Sequence, residues 1–154
     1  MADLTISRAE SADFEEAYAI TAEYYASVDV IEREDPKTFS VAYFGEGSGF
    51  WLARQNEAVV GCIGLRPLKR FPSSGEVKRL YIQPAWRGQG IADKLLDALH
   101  GYAKACAYDW LYLDSKDDLA AALRFYKRRG YERCARYNDN SQATIFMRRQ
   151  IAHS

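Results

Sequence analysis

A strand, a glycine-containing loop and a helix follow one another over residues 76–99, and this segment constrains the fold most; its sequence is EVKRLYIQPAWRGQGIADKLLDAL. The first seven residues are typical of a strand, which Pro84 ends. Apolar side chains then recur at the spacing of one face of an amphipathic helix that ends near Cys106. That face consists of Ile91, Leu95, Ala98, Leu99, Tyr102 and Cys106. Gly88 and Gly90 therefore lie directly before the helix.

Glycine at this place has two explanations. A tight turn that needs a positive φ is the general one. The other is an anion site, because the first amides of a helix have no partners within it and carry the positive end of the helix dipole. Without a Cβ at Gly88 and Gly90, a phosphate can approach these amides closely.

Two common nucleotide-binding patterns fit this loop poorly. The chain contains no G-x-x-x-x-G-K-[ST] string, so a P-loop is excluded. A dinucleotide fingerprint needs a third glycine, and Asp93 stands at that position. An acidic side chain in the first helical turn would repel a pyrophosphate if it pointed towards it.

Composition limits the protein class. The 154 residues suit one domain over 1–154, and a net charge of +0 gives no basic field for nucleic acid or an anionic membrane. No apolar run approaches the roughly 20 residues of a spanning helix, and the N-terminus lacks a secretory signal. Cys62, Cys106 and Cys134 have no CxxC spacing, and the two histidines lie far apart. We therefore expect a cytoplasmic protein with reduced thiols and no metal.

The remaining chain predicts alternating strands and helices. Helices are expected over about 11–27 and 116–129, with a further one somewhere in 30–44, where Pro36 is expected to interrupt the helix. The other strands are expected at 4–7, 50–55, 58–68, 110–113, 131–137 and 143–149. Antiparallel hairpins combined with crossover units predict an α+β fold with a mixed sheet.

The loop resembles a known family. Residues 87–92, RGQGIA, have the form [Q/R]-x-x-G-x-[G/A], and with their strand and helix they resemble the acetyl-coenzyme A loop of the GNAT superfamily of N-acetyltransferases. AVVGCIGLRPL (58–68) is similar to that family's third strand, and LRFYKRRGYER (123–133) to its later helix end and strand. The resemblance covers about residues 50–149. It implies a GNAT-like fold, a mixed, mostly antiparallel central sheet of about seven strands flanked by about four helices.

The resemblance also implies a co-substrate, acetyl-CoA, as acetyl donor. Its pyrophosphate would lie on the backbone amides of Arg87, Gly88, Gln89, Gly90, Ile91 and Ala92. Its pantetheine arm would run beside Leu80, Tyr81 and Ile82, whose strand could also direct an N–H at the thioester carbonyl. One departure is that no asparagine stands near the start of the following helix, where many members carry one.

Two side chains match the family's catalytic positions. A primary amine has a pKa of about 10, so a base must take its proton at neutral pH. Glu76 matches the family's general base; the alternative is a carboxylate that only attracts a cationic substrate. Tyr126 matches the tyrosine that protonates the departing sulfur; the alternative is a core residue on the apolar face of its helix.

The acceptor is less defined by the sequence. Aromatic walls with a carboxylate would suit a small cationic amine or amino acid, and the candidates are Tyr24, Tyr25, Phe39, Tyr137, Asp139 and Glu46. We expect direct acetyl transfer to a small-molecule or amino-acid-like amine. The alternatives are a protein or peptide N-acetyltransferase, a catalytically silent acyl-CoA-binding module, and a nucleotide-binding protein. A homodimer through the C-terminal hairpin is compatible with the sequence.

Overall fold

Seven strands form one mixed sheet in the computed structural model, which describes residues 3–28, 33–116 and 119–151. The strands are β1 Leu4–Arg8, β2 Gly49–Gln55, β3 Ala58–Pro67, β4 Ser74–Ile82, β5 Trp110–Ser115, β6 Glu132–Arg133 and β7 Ile145–Gln150. The α-helices among these residues are α1 Phe14–Val28, α2 Pro36–Tyr43, α3 Ile91–Ala105 and α4 Ala120–Arg128. The spatial order is β1-β2-β3-β4-β5-β7-β6, and only β4 and β5 pair in parallel. This confirms the predicted fold class.

Helices cover both faces of the sheet. Residues on successive positions of a strand point to opposite faces, so Ile63 packs with α3 and α4 while its neighbour Cys62 packs with α1 and α2. On the first face α3 contributes fully buried Leu95, Leu96 and Leu99. On the second, Ile20, Phe39 and Tyr43 pack against Phe50 and Leu52. Burying apolar area on both faces supplies the main stabilisation of the fold.

The sheet opens between its two parallel strands. β4 pairs with β5 only from Ser74 to Glu76, opposite Trp110 to Tyr112. Beyond that point β4 continues alongside β3, and β5 continues alongside β7. The carboxyl-terminal halves of β4 and β5 therefore diverge, and we call this opening the fork.

A β-bulge lies on β4 at the fork. Lys78 pairs with Gly64 and Tyr81 with Cys62, so Arg79 and Leu80 together face the single residue Ile63. Arg79 has a φ of 61°, in the left-handed region. Such a backbone in a residue other than glycine costs on the order of 1 kcal/mol, and bulges of this kind bend a strand and re-aim its side chains.

Several sequence predictions need correction. Pro36 begins a helix instead of interrupting one, because the Asp35 side chain accepts a hydrogen bond from the Thr38 amide (2.8 Å) and proline suits the first helical position. Cys106 is exposed, and Leu96 and Ala103 join the buried face of α3. The predicted strand 131–137 is reduced to β6, and residues 134–144 are irregular. Positions 30–32 and 117–118 of the predicted helices lie outside the described residues.

Candidate active site

The glycine loop has the backbone that the sequence predicts. Gly88 and Gly90 have φ values of 78° and 79°, and Gly90 is the residue from which α3 begins. A Cβ added at either position would meet no heavy atom within 4 Å. Glycine is required here by backbone conformation, and the space in front of the loop is open. Because neither glycine places a side chain in that space, the loop can receive a ligand of the size of a phosphate.

A cavity of about 650 Å³ and another of about 830 Å³ meet at the fork. The larger, which we call the loop cavity, runs from the fork to the glycine loop between β4, the start of α3 and α4. Among the residues expected to bind the cofactor, all but Gln89 line it; these are Leu80, Tyr81, Ile82, Arg87, Gly88, Gly90, Ile91 and Ala92. The structure thus brings together residues that the sequence analysis grouped by resemblance.

Asp93 and Arg87 face the same cavity. The Asp93 carboxylate accepts hydrogen bonds from Arg128 (3.2 Å) and Arg129 (2.9 Å), and these bonds, that of Arg128 first, lower its pKa. Its negative charge is therefore paired with two guanidinium groups beside the helix terminus. Arg87 donates from Nε to the Ile82 carbonyl oxygen (2.9 Å), which holds its side chain at the end of β4.

Tyr126 projects from α4 into the loop cavity and is 7% exposed. Burial raises the pKa of its phenol well above the ordinary value, and the neighbouring Tyr131, Tyr24 and Asp114 raise it further. The phenol is therefore protonated at neutral pH and can act as a proton donor. The apolar-face position noted in the sequence is also correct, because Tyr126 packs edge-on against Tyr131.

Glu76 lies behind the cavities. Its side chain is 1% exposed, and it is absent from the lining of both cavities. Oε1 accepts from Arg66 Nε (2.9 Å), and Oε2 accepts from the Tyr137 hydroxyl (2.6 Å) and Asn138 Nδ2 (3.1 Å). This carboxylate joins β3 and β4 to the irregular segment 134–144.

The smaller cavity, which we call the polar cavity, lies on the other side of the fork. It shares with the loop cavity the residues Tyr24, Val28, Lys78, Arg79, Asp114, Ser115 and Leu119. Its lining contains positively and negatively charged side chains. Arg66, Lys78 and Arg79 are positive, and Glu34 and Asp114 are negative. A molecule in one cavity can therefore contact a molecule in the other where these shared residues lie.

The expected aromatic walls are wrong for most of the candidates. Tyr24 and Asp139 line the polar cavity. Phe39, Tyr25 and Tyr137 are buried in the core at 0%, 3% and 3% exposure. Glu46 is exposed and lies outside the lining of both cavities. Three of the four aromatic candidates therefore provide packing, and apart from Tyr24 the cavity walls are largely polar and charged.

Sequence reasoning missed the charged residues at the fork. Asp114 accepts from Lys78 Nζ (3.3 Å) and Asn138 Nδ2 (2.6 Å). Burial would raise the pKa of Asp114, but Lys78, Asn138 and Asn140 together outweigh it and hold the pKa below its ordinary value. The available signal was a charged residue inside an otherwise apolar strand, as in KR within EVKRLYI and D within WLYLDS.

Cysteine side chains and clusters of acidic or histidine side chains bear on the remaining sequence expectations. Cys62 is a fully buried core residue, and burial raises the pKa of its thiol. In the part of the chain that the structure describes, no three or more His, Cys, Asp or Glu side chains form a group suited to a metal ion. Among the same residues, no helix has the length and apolar character needed to cross a membrane.

The seven-stranded mixed sheet and the glycine loop before α3 agree with the fold and the loop of the class of acyltransferase that the sequence resembles. The chain belongs to the Acetyltransferase (GNAT) family, which residues 8–131 match. It is 32% identical over 94 residues to N-acetyltransferase 8B of Rattus norvegicus, a stretch that covers 59% of this chain and 42% of the rat protein. The chain therefore spans less than half the length of that relative.

Solved structures share the whole fold. A GNAT-family acetyltransferase of Staphylococcus aureus Mu50 superposes with a TM-score of 0.84 at 22% identity, covering 97% of this chain and 100% of that one. The PaiA N-acetyltransferase of Thermoplasma acidophilum, solved in complex with coenzyme A, superposes with a TM-score of 0.75 at 16% identity, covering 96% and 99%.

Proposed function

We propose that this chain, as one N-acetyltransferase domain over residues 1–154, moves the acetyl group of acetyl-CoA directly to the amine of a small-molecule or amino-acid-like acceptor. The observation that carries the proposal is the pair of cavities that meet at the fork, one ending at the glycine loop and one lined by charges. The Thermoplasma relative with coenzyme A supports the choice of donor.

Backbone atoms hold the donor in this proposal. The amides from Arg87 to Ala92, at the positive end of α3, bind its pyrophosphate. The edge of β4 at Leu80, Tyr81 and Ile82 pairs with its pantetheine amides. Since the extra residue of a bulge is not paired across the sheet, we assign the N–H that faces the thioester carbonyl to the bulge at Arg79 and Leu80.

Side chains move the protons. Acetyl-CoA supplies an acetyl group activated as a thioester. Tyr126, protonated and facing the loop cavity, donates a proton to the departing sulfur. Glu76 belongs to the general-base machinery through its network, because Asn138 Nδ2 donates to Glu76 (3.1 Å) and to Asp114 (2.6 Å), and Asp114 faces both cavities.

The polar cavity favours a small acceptor. Its volume of about 650 Å³ lies in the range of small-molecule sites, and its lining of both charges suits an amine that also carries an anionic group. The free thiols of Cys62, Cys106 and Cys134 support a cytoplasmic location. The homodimer stays a prediction.

An assay of thiol release from acetyl-CoA, over a panel of amines, amino acids and peptides, tests the function. We expect release that depends on a small amine and that is slower with peptides. Fast peptide acetylation would support a protein acceptor instead. Binding of acetyl-CoA without turnover of any amine would support the silent module, and stronger thermal protection by ATP or NAD than by acetyl-CoA would contradict the donor.

A further inference from the structure

Two carboxylates share one hydrogen-bond network at the fork, and they differ in what they face. Asn138 Nδ2 bridges them, 2.6 Å from Asp114 Oδ2 and 3.1 Å from Glu76 Oε2. Lys78 Nζ also lies between them, 3.3 Å from Asp114 Oδ1 and 3.9 Å from Glu76 Oε2. Asp114 lines both cavities, and Glu76 lines neither.

The lone pairs of Glu76 are occupied. Arg66 Nε donates to Glu76 Oε1 (2.9 Å), and Arg66 Nη2 lies 2.9 Å from the same oxygen. The Tyr137 hydroxyl (2.6 Å) and Asn138 (3.1 Å) donate to Oε2. A carboxylate offers about four acceptor sites, so little remains for a substrate proton, and at 1% exposure none can reach it directly.

Asp114 keeps an open acceptor site. Oδ2 accepts from Asn138 (2.6 Å), Asn140 (3.3 Å) and Lys78 Nζ (3.4 Å), whereas Oδ1 accepts from Lys78 Nζ alone (3.3 Å). The side chain is 8% exposed, and that exposure is to the cavities. A cationic amine at Oδ1 would complete its hydrogen bonding in a largely desolvated place, where charge pairing is strong.

Asp114 also acts electrostatically on the proton donor. It stands on β5 beyond Tyr112, the last residue of β5 that pairs with β4, and therefore inside the fork. Its charge contributes to the raised pKa of Tyr126 on α4 and of Tyr24 on α1, after burial in both cases. The carboxylate and the phenol therefore approach the meeting point of the cavities from different elements.

We propose that Asp114 binds the ammonium group of the acceptor and takes its proton, and that Glu76 is a positioning residue that holds Asn138 and, through it, Asp114. This rests on the proposed function. One proton of the ammonium passes to Asp114 and then to water. The amine forms the C–N bond as the C–S bond breaks, the sulfur takes the Tyr126 proton, and the nitrogen returns its extra proton to Tyr126. The sum is an amide, a free thiol and one released proton.

Two variants, each lacking one hydrogen bond, distinguish the roles of the two carboxylates. The Asn140 side chain donates to Asp114, and the Tyr137 hydroxyl donates to Glu76. If Asp114 is the base, Asn140→Ala raises its pKa, because a donor that stabilises the carboxylate is lost; the acidic limb of kcat/KM, measured below about pH 5 with a weakly basic acceptor amine that is neutral there, then moves to higher pH by about half a unit or more. Tyr137→Phe then leaves that limb in place. Lys78, Tyr24 and Tyr126 also act on Asp114 and stay present in both variants. Tyr137, the residue changed in the second variant, is itself affected by burial, by Glu76 and, after these, by Asp114.

Substitution of Asp114 itself measures how much this carboxylate contributes to the reaction rate. We expect Asp114→Asn to lower kcat/KM at pH 7 by about 100-fold or more, with acetyl-CoA affinity within about twofold of wild type by calorimetry. The loss shrinks as the pH approaches the pKa of the acceptor amine, and it shrinks for an amine that is already neutral at pH 7. The exposed turn variant Glu57→Gln is the charge control and keeps wild-type kinetics. If Asp114→Asn fails to fold, the Asn140→Ala and Tyr137→Phe pair still decides.

The outcomes are distinct. A limb that moves in Tyr137→Phe and stays in Asn140→Ala assigns the base to Glu76 and overturns the inference alone. An Asp114→Asn protein that keeps wild-type kcat/KM does the same. A wild-type protein that binds acetyl-CoA and acetylates no amine overturns the proposed function, and the inference with it.

Discussion

Tyr126 acts in the proposal through one atom, its phenolic oxygen. Burial keeps that group protonated, so removing the hydroxyl removes a donor and little else. We expect Tyr126→Phe to lower kcat by about 100-fold with unchanged acetyl-CoA affinity, because general acid catalysis typically contributes that much or more. Steady-state kinetics and calorimetry check this.

The matched control is Tyr108→Phe. Its hydroxyl donates to the Gly47 carbonyl oxygen (2.6 Å), and Tyr108 lines neither cavity. We expect a small loss of stability and unchanged kcat. Equal kcat values for the wild type and Tyr126→Phe would show that Tyr126 is a core residue only.

Gly90, which caps α3, and Gly101, which lies within α3, allow a second comparison of single substitutions. Gly90 has a φ of 79°, whereas Gly101 lies inside the helix, and both have open space where a Cβ would stand. Gly90→Ala should cost about 1–2 kcal/mol of stability, because alanine is strained in the left-handed region, and it should weaken acetyl-CoA binding because the amides at the helix start shift. Gly101→Ala should gain about 1 kcal/mol and bind normally. Urea denaturation and calorimetry measure both, and wild-type affinity in Gly90→Ala would contradict the amide site.

At the scale of elements, an ion pair ties the start of α2 to the bulge of β4. Glu34 and Arg79 form a salt bridge with side chains 12% and 11% exposed. Removing one partner leaves a charge that is buried and unpaired, which typically costs about 3–5 kcal/mol. We therefore expect Glu34→Ala to lower the free energy of unfolding by about that amount, and Glu34→Ala with Arg79→Met to lower it by less. Urea titrations of the three variants check this, and additive losses would contradict a coupled pair.

The elements also show what sequence can predict. The helical period of α3 and the apolar runs of β2 and β3 are local features, so the places of these elements were predicted closely. Residues 134–144 are held by side chains distant in sequence, such as Asn138 on Glu76 and Asp114. No local pattern reports such bonds, and a strand was therefore predicted too long. For the same reason the sequence singled out Glu76 without its hydrogen-bond partners, and it missed Asp114.

At the scale of the whole molecule, the fork connects fold and site. The parallel pair β4–β5 ends after Glu76 and Tyr112, while each strand keeps its other neighbour. The sheet can therefore open without losing its core, since Leu111, Leu113 and Val77 stay buried beside the opening. The glycine loop, the bulge and the charged residues belong to different segments of the chain. They come together only when the strands pair into the complete sheet.

Stability of the whole fold should depend on pH through His100 on α3. Its Nε2 lies 2.9 Å from the Tyr131 hydroxyl and its Nδ1 lies 2.8 Å from Arg149 on β7. Arg149 can only donate, so Nδ1 accepts and the ring is neutral. Burial, and then Arg149 and Arg129, lower its pKa from 6.5 to about 4.

The direction in which stability changes with pH follows from proton uptake. Between the two pKa values the unfolded chain binds a proton that the native protein does not, so stability rises with pH in this window. His100 therefore contributes fully above pH 6.5, and up to about 3 kcal/mol is lost as the pH falls to about 4. Asp93 and Asp114, whose pKa values are lowered, keep their contribution until the pH falls below their ordinary 3.8, so their losses lie outside the window. Urea titrations from pH 7 to 4 should show a shallower fall in His100→Gln than in the wild type, since His153 is common to both and cancels. Parallel curves for the two proteins would mean that the pKa of His100 is the same in the folded and unfolded states, and would contradict the lowered pKa.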